Sequence, residues 1–88
     1  MKHLNIKVTG HVQGVFYRQE AKAKAKKLCL KGVARNGADG SVLIEVEGEG
    51  TRLNQFLEWC RKGSAHSRVD KVEAHEGSVK NFNDFRIS

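Results

Sequence analysis

No part of this chain constrains its folding more than the stretch Val8-Thr9-Gly10-His11-Val12-Gln13-Gly14-Val15-Phe16-Tyr17-Arg18. Up to Val8 the apolar residues Leu4, Ile6 and Val8 alternate with His3, Asn5, Lys7 and Thr9, the period of a half-buried strand. From Arg18 onward the chain is rich in lysine and alanine, and Ala21, Ala25, Leu28 and Cys29 recur at helical spacing. A strand must therefore hand over to a helix within a few residues, through Gly10 and Gly14. Such a junction has the outline of an anion cradle. The first N–H groups of a helix have no intrahelical acceptor and carry partial positive charge. Glycines let the backbone curl round an oxyanion, and Arg18 brings a planar fork of donors to it. A phosphate is the expected occupant. A nucleoside triphosphate is not, because no Lys-Ser or Lys-Thr follows the glycine as a Walker A loop requires.

The helix is expected from about Arg18 to Leu30, with Gly32 ending it and Lys22, Lys24, Lys26, Lys27 and Lys31 forming a solvated basic face. Val33-Ala34-Arg35-Asn36 begins a second strand, which Gly37-Ala38-Asp39-Gly40 turns back into Ser41–Glu47 with Val42, Ile44 and Val46 inward. After Gly48-Glu49-Gly50, Thr51 is the expected N-cap of a second helix whose apolar face is Leu53, Phe56, Leu57 and Cys60, with Trp59 at its edge. A fourth strand runs from about Val69 to His75, where the spacing of Val69, Val72 and Ala74 signals a bulge, and Phe85 and Ile87 mark a short fifth. The order is β-α-β-β-α-β plus a C-terminal strand. That is the pattern of an α+β, ferredoxin-like (split β-α-β) two-layer sandwich: a mostly antiparallel sheet with two helices on one face. In that topology the first two strands run parallel with the third between them, so the cradle and Asn36 reach the same sheet edge.

With 88 residues, no proline and no linker composition, one domain over 1–88 is expected. A formal charge of +6 calls for an anionic partner. No apolar run approaches the ~20 residues of a bilayer span, and no signal-peptide segment precedes Leu4, so no membrane association and a cytoplasmic location are expected. Cys29 and Cys60 form no Cys-x-x-Cys pair and are expected as buried free thiols. His3, His11, His66 and His75 show no metal-ligand spacing, and surface positions are expected for most of them. Neither metal nor cofactor is expected. Basic ferredoxin-like sheets also include RNA-binding modules, which need aromatics on the open face. Here that face should carry Asn5, Lys7, Leu43, Glu45 and Glu47, with acids and no stacking platform, so no nucleic-acid partner is expected. A non-catalytic anion-binding module remains the alternative to an enzyme, and a monomer is expected.

Two segments also resemble one family. Val8–Arg18, VTGHVQGVFYR, resembles the first acylphosphatase signature, G-x-V-Q-G-V leading to an aromatic and then arginine; Gly32–Gly48 resembles the second, G-x-A-R-N followed by G-S-V and a closing glycine. The resemblance extends from Leu4 to Ile87 and implies the same sandwich. It implies a metal-independent hydrolase of small acyl phosphates, releasing a carboxylate and inorganic phosphate, the latter also a competitive ligand. It implies Arg18 as the phosphoryl-binding catalytic residue and Asn36 as the one that positions water. Gln13, Gly14, Val15, Phe16 and Tyr17 would line the phosphate cradle with Arg18. Val33 stands where the second signature usually has an aromatic, and Tyr17 where the first usually has phenylalanine; neither change removes a donor.

Overall fold

Alternating and helical periodicities resolve, in the computed structural model of all 88 residues, into β1 (Lys2–His11), α1 (Tyr17–Lys27), β2 (Lys31–Asn36), β3 (Val42–Gly48), α2 (Gly50–Lys62), β4 (Arg68–Gly77) and β5 (Phe85–Ile87). The strands form one sheet in the order β4-β1-β3-β2-β5. β1 pairs antiparallel with β3 and β4, and β2 antiparallel with β3, whereas β5 adds to β2 in parallel. β1 and β2 are thus parallel with β3 between them, as the element order predicts. Ile6, Val8, Val42, Ile44 and Val46 point to one face, where they are buried with Leu53, Phe56 and Cys60 of α2 and Tyr17, Ala21 and Ala25 of α1. The expected bulge is present opposite Thr9 and Gly10, where β4 accommodates Asp70 as an extra residue. A Cβ on Gly10, whose φ is +138°, would lie 2.1 Å from the Arg68 carbonyl oxygen, so only glycine fits beside this bulge.

Helix α1 lies close to the sheet because Ala21 and Ala25 are its contact residues; Lys22, Lys24, Lys26 and Lys27 form no ion pair and make the solvated face. The helix stops at Lys27 rather than Leu30. Cys29 takes a left-handed conformation (φ 56°), its N–H donates to the Lys26 carbonyl, and the Leu30 N–H reaches back to the Ala25 carbonyl at 2.8 Å. That pattern is a Schellman closure with cysteine in the position glycine usually takes, and Leu30 is its buried apolar contact. Cys29 is consequently exposed, not buried, and Lys31 and Gly32 belong to β2. Cys60 is buried as expected, and burial pushes its thiol up to about 12. The N-cap of α2 is Glu49, not Thr51: the helix begins at Gly50, and the Glu49 carboxylate accepts the Thr51 N–H at 2.5 Å.

The other departure is at the start of β1. His3 is buried, and its Nδ1 donates to Glu47 Oε2 at 2.7 Å. Glu47 is not on an open face either. The segment 78–84 crosses the sheet there, the backbone N–H groups of Lys80 and Phe82 donate to the Glu47 carboxylate, and the Phe82 ring stacks on His3 at 6.2 Å. Asn5, Lys7, Leu43 and Glu45 do lie on the face away from the helices, where Lys80 Nζ approaches Glu45 Oε1 at 2.6 Å.

Candidate active site

Between β1 and α1 the chain must reverse within five residues, and it does so with two left-handed positions close together, Gly14 (φ 74°) and Phe16 (φ 63°). A turn of this kind aims successive N–H groups into a common concavity. The backbone N–H groups of Gln13, Gly14, Val15 and Phe16 find no acceptor anywhere in the chain. Phe16 is the N-cap residue of α1, it contributes no side-chain cap, and its ring is 67% exposed. A phenylalanine held in this conformation with its ring in solvent costs about 1 kcal/mol without any compensating burial. The hollow beneath is lined by Val12, Gly14, Phe16, Tyr17, Arg18 and Gln19 and has a volume of about 140 Å³. That suits one small oxyanion; a drug-sized or nucleotide ligand needs roughly 300–1,000 Å³.

Three contacts fix the hollow's rim. Tyr17 is buried, its hydroxyl donates to the Cys60 carbonyl at 2.9 Å and its ring lies 5.1 Å from that of Trp59, so the start of α1 is pinned to α2. Burial, with the neighbouring Cys60, raises the Tyr17 phenol well above its ordinary value, and it stays a donor. Only its backbone N–H is therefore left for an anion. Arg18 is half-buried at the mouth, and one arm of its guanidinium donates to the Ser88 main-chain oxygen at 2.9 Å. Its remaining N–H groups have no partner in the chain.

Asn36 is the last residue of β2, solvent-exposed and in register with Val42 at the start of β3. On its other side Val42 pairs with Val8, three residues before the end of β1, so Asn36 stands toward the same sheet edge as the hollow. Gln13 joins the two. Its side-chain Nε2 donates to the carbonyls of Gly37 and Ser41, both at 2.8 Å, on the turn that follows Asn36. The far side of this turn is braced by Asp39, which accepts from the Ser41 hydroxyl at 2.5 Å and the Ser41 N–H at 3.1 Å and pairs with Lys7 Nζ at 2.9 Å. The Ser41 hydroxyl and Lys7 hold the Asp39 carboxyl far below the usual range.

The structure thus gathers Gly14, Phe16, Tyr17 and Arg18 round one hollow, leaves Val15 out of its lining with only an unpartnered N–H between Gly14 and Phe16, and sets Asn36 at the same sheet edge. The Gln13 side chain, in contrast, is spent on the neighbouring turn, and only its backbone N–H remains free. Sequence reasoning missed that fastening and the Lys7–Asp39 brace. An Asp-Gly pair signals a turn, but nothing local signals a partner 24 residues away.

The family model for acylphosphatase matches residues 4–87. An acylphosphatase from Lactiplantibacillus plantarum is 40% identical over 100% of this chain and 99% of its own length. One from Marinobacter nauticus is 44% identical over 92% of this chain and 89% of its own. The crystal structure of acylphosphatase from Bacillus subtilis superposes with a TM-score of 0.97 at 35% identity, covering 100% of this chain and 99% of that one. With that match spanning every element from β1 to β5, the chain belongs to the acylphosphatase family.

Proposed function

We propose that the chain hydrolyses the carboxyl–phosphate anhydride of small acyl phosphates, with Arg18 and the Gln13–Tyr17 backbone holding the phosphoryl group and Asn36 positioning the attacking water. The observation that carries this reading is the row of unpartnered N–H groups at Gln13, Gly14, Val15 and Phe16, at the sheet edge where β2 ends in Asn36. Those donors and the Arg18 guanidinium match the equatorial oxygens of a phosphoryl group, and they strengthen as charge spreads over those oxygens in the transition state. The Asn36 carboxamide accepts a hydrogen bond from water and aims its oxygen at phosphorus. The new oxygen–phosphorus bond forms as the bond from phosphorus to the carboxylate oxygen breaks, and the departing carboxylate takes the proton that the water sheds. The products are a carboxylic acid and hydrogen phosphate.

This reaction asks little of the protein beyond placement, because an acyl phosphate already has a good leaving group. The donors assigned here are N–H groups and a guanidinium, which bind anions and not cations, so no metal or cofactor enters the scheme. We read residues 1–88 as one catalytic domain that works as a monomer in the cytoplasm; no helix is long and apolar enough to cross a membrane. Nucleic acid is not a partner in this reading. The open face carries Glu45 and Glu73, no Phe, Tyr or Trp lines it, and the Phe82 ring is stacked on His3.

The test is hydrolysis of benzoyl phosphate in excess chelator by wild type, Arg18→Gln and Asn36→Ala. Turnover by the wild type that resists chelator and falls at least about a hundredfold in each variant is expected. Absence of turnover in folded wild type would leave a phosphate-binding domain instead.

A further inference from the structure

The hydrolase reading needs two regions of the chain at a fixed separation: the hollow that holds phosphorus and the carboxamide that holds water. The ladder places Asn36 against Val42, and Val42 against Val8, but it reaches neither the loop after β1 nor the turn after β2. The loop from Val12 to Phe16 belongs to no strand or helix, and the turn 37–41 hangs beyond the last β2–β3 pair, Asn36 with Val42. Two hydrogen bonds join this loop to this turn, and both come from Gln13. The two hydrogens of its Nε2 are spent on two carbonyls, Gly37 and Ser41, that face each other across the turn and are themselves linked through the Gly37 N–H to the Ser41 carbonyl at 2.7 Å. A primary amide is the neutral side chain that can satisfy two converging carbonyls from one nitrogen. The groups on either side of this link are the ones with chemical roles: Gly14 and Phe16 follow Gln13, and Asn36 precedes Gly37.

We propose that Gln13 is a positioning residue for the reaction: its side chain fastens the phosphate loop to the β2–β3 turn and so sets the distance between the Arg18 phosphoryl site and the Asn36-held water. The proposal rests on the hydrolase reading above. It gives the side chain no contact with substrate, so its loss should lower turnover and leave ground-state phosphate binding alone. A displacement of about 1 Å between reacting groups costs on the order of a hundredfold in rate.

The experiment compares wild type, Gln13→Met and Gln13→Glu on benzoyl phosphate, with inorganic phosphate as competitive inhibitor. Met keeps the length and removes both donors. The expected result is kcat lower by about ten- to a hundredfold, with KM and the inhibition constant of inorganic phosphate within about threefold. Glu at neutral pH turns bare oxygens toward the two carbonyls and should be at least as slow. As pH falls below about 5 its protonated form regains one O–H donor, so kcat should recover there relative to wild type. A kcat within twofold of wild type in both variants overturns the proposal. So does an unchanged kcat with KM and the phosphate constant raised together, which would make the side chain a phosphate ligand. Amide exchange at Gly37 and Ser41, followed with inorganic phosphate bound, is the readout independent of turnover. It should quicken about tenfold or more in Gln13→Met, and unchanged exchange defeats the fastening even if the wild type proves inactive and the hydrolase reading fails.

Discussion

At the start of β1, His3 and Glu47 are buried together and their polar atoms are all engaged: His3 Nδ1 with Glu47, His3 Nε2 near Asn5 Oδ1 at 3.1 Å, and both Glu47 oxygens with N–H donors. Where β1 hands over to α1, four consecutive backbone N–H groups have no acceptor, and Arg18 has one, the Ser88 main-chain oxygen. A single strand thus connects a closed polar cluster with an open one. An unsatisfied donor costs free energy when buried and little when solvated, so the open cluster persists because it faces water. The closed cluster holds a segment, 78–84, against the sheet. The same chemical groups therefore serve cohesion where they meet one another and, in the function proposed above, recognition where they do not.

Substitutions should separate these two roles. The largest effect is expected for Arg18→Gln, which should lower kcat/KM for benzoyl phosphate by roughly a thousandfold or more while shifting the urea stability by less than about 0.5 kcal/mol. Glu47→Gln should do the converse. Both carboxylate oxygens accept from N–H donors, so an amide must turn its own N–H groups toward at least one of them. A loss of about 3 kcal/mol in folding stability is expected, with kcat/KM within twofold at a temperature where both proteins are folded. If Arg18→Gln unfolds the protein or Glu47→Gln slows it while folded, the two ends are coupled and the contrast breaks.

Acid sharpens the same comparison. Burial alone would raise the Glu47 carboxyl, but the Lys80 N–H, His3 and the Phe82 N–H outweigh it and hold the carboxyl below its ordinary value. A depressed pKa in the folded state adds stability that is complete above the unfolded value, about 4.3, and is lost as pH falls through the folded value. The stability gap between wild type and Glu47→Gln should therefore be constant above about pH 5.5 and narrow on acidification. Urea midpoints measured every half unit would show it, and a gap that widens at low pH would reverse the sign of this argument.

Which parts of this picture are legible in the sequence follows from the range of the interactions. Strand alternation at Leu4–Val8 and Val42–Val46, helical spacing at Leu53–Cys60 and the order of elements are local or additive signals, and the sheet order follows from them. The cradle is legible for the same reason, since two glycines and an arginine sit within nine residues. The end of α1 is not, because a cysteine occupies the left-handed closure that glycine would announce. Glu49 hides as a cap because carboxylates are common on any surface. His3 and Glu47 occupy alternating positions that read as solvent-facing, and only the segment 78–84, which has no period of its own, makes them buried. The Gln13 link is invisible for want of any local rule about a carboxamide and a distant turn.

Phe16 supplies the smallest and most diagnostic test, because in this one residue the open cluster works against stability. Its left-handed backbone costs about 1 kcal/mol relative to glycine, and its exposed ring returns little by burial. Glycine removes that strain but enlarges the unfolded ensemble, an offset of several tenths of a kcal/mol. Phe16→Gly should therefore change stability by a gain of at most about 1 kcal/mol. Turnover should move the other way, since a glycine is free to leave the conformation that aims the N–H groups of Val15 and Phe16 into the hollow. A few-fold loss in kcat/KM, with a matching rise in the inhibition constant of inorganic phosphate, is the expected pattern. A variant both less stable and fully active would show that the ring packs in solution and that the loop is held by something other than its own backbone. A variant more stable and less active would place the strain in the service of the phosphate site.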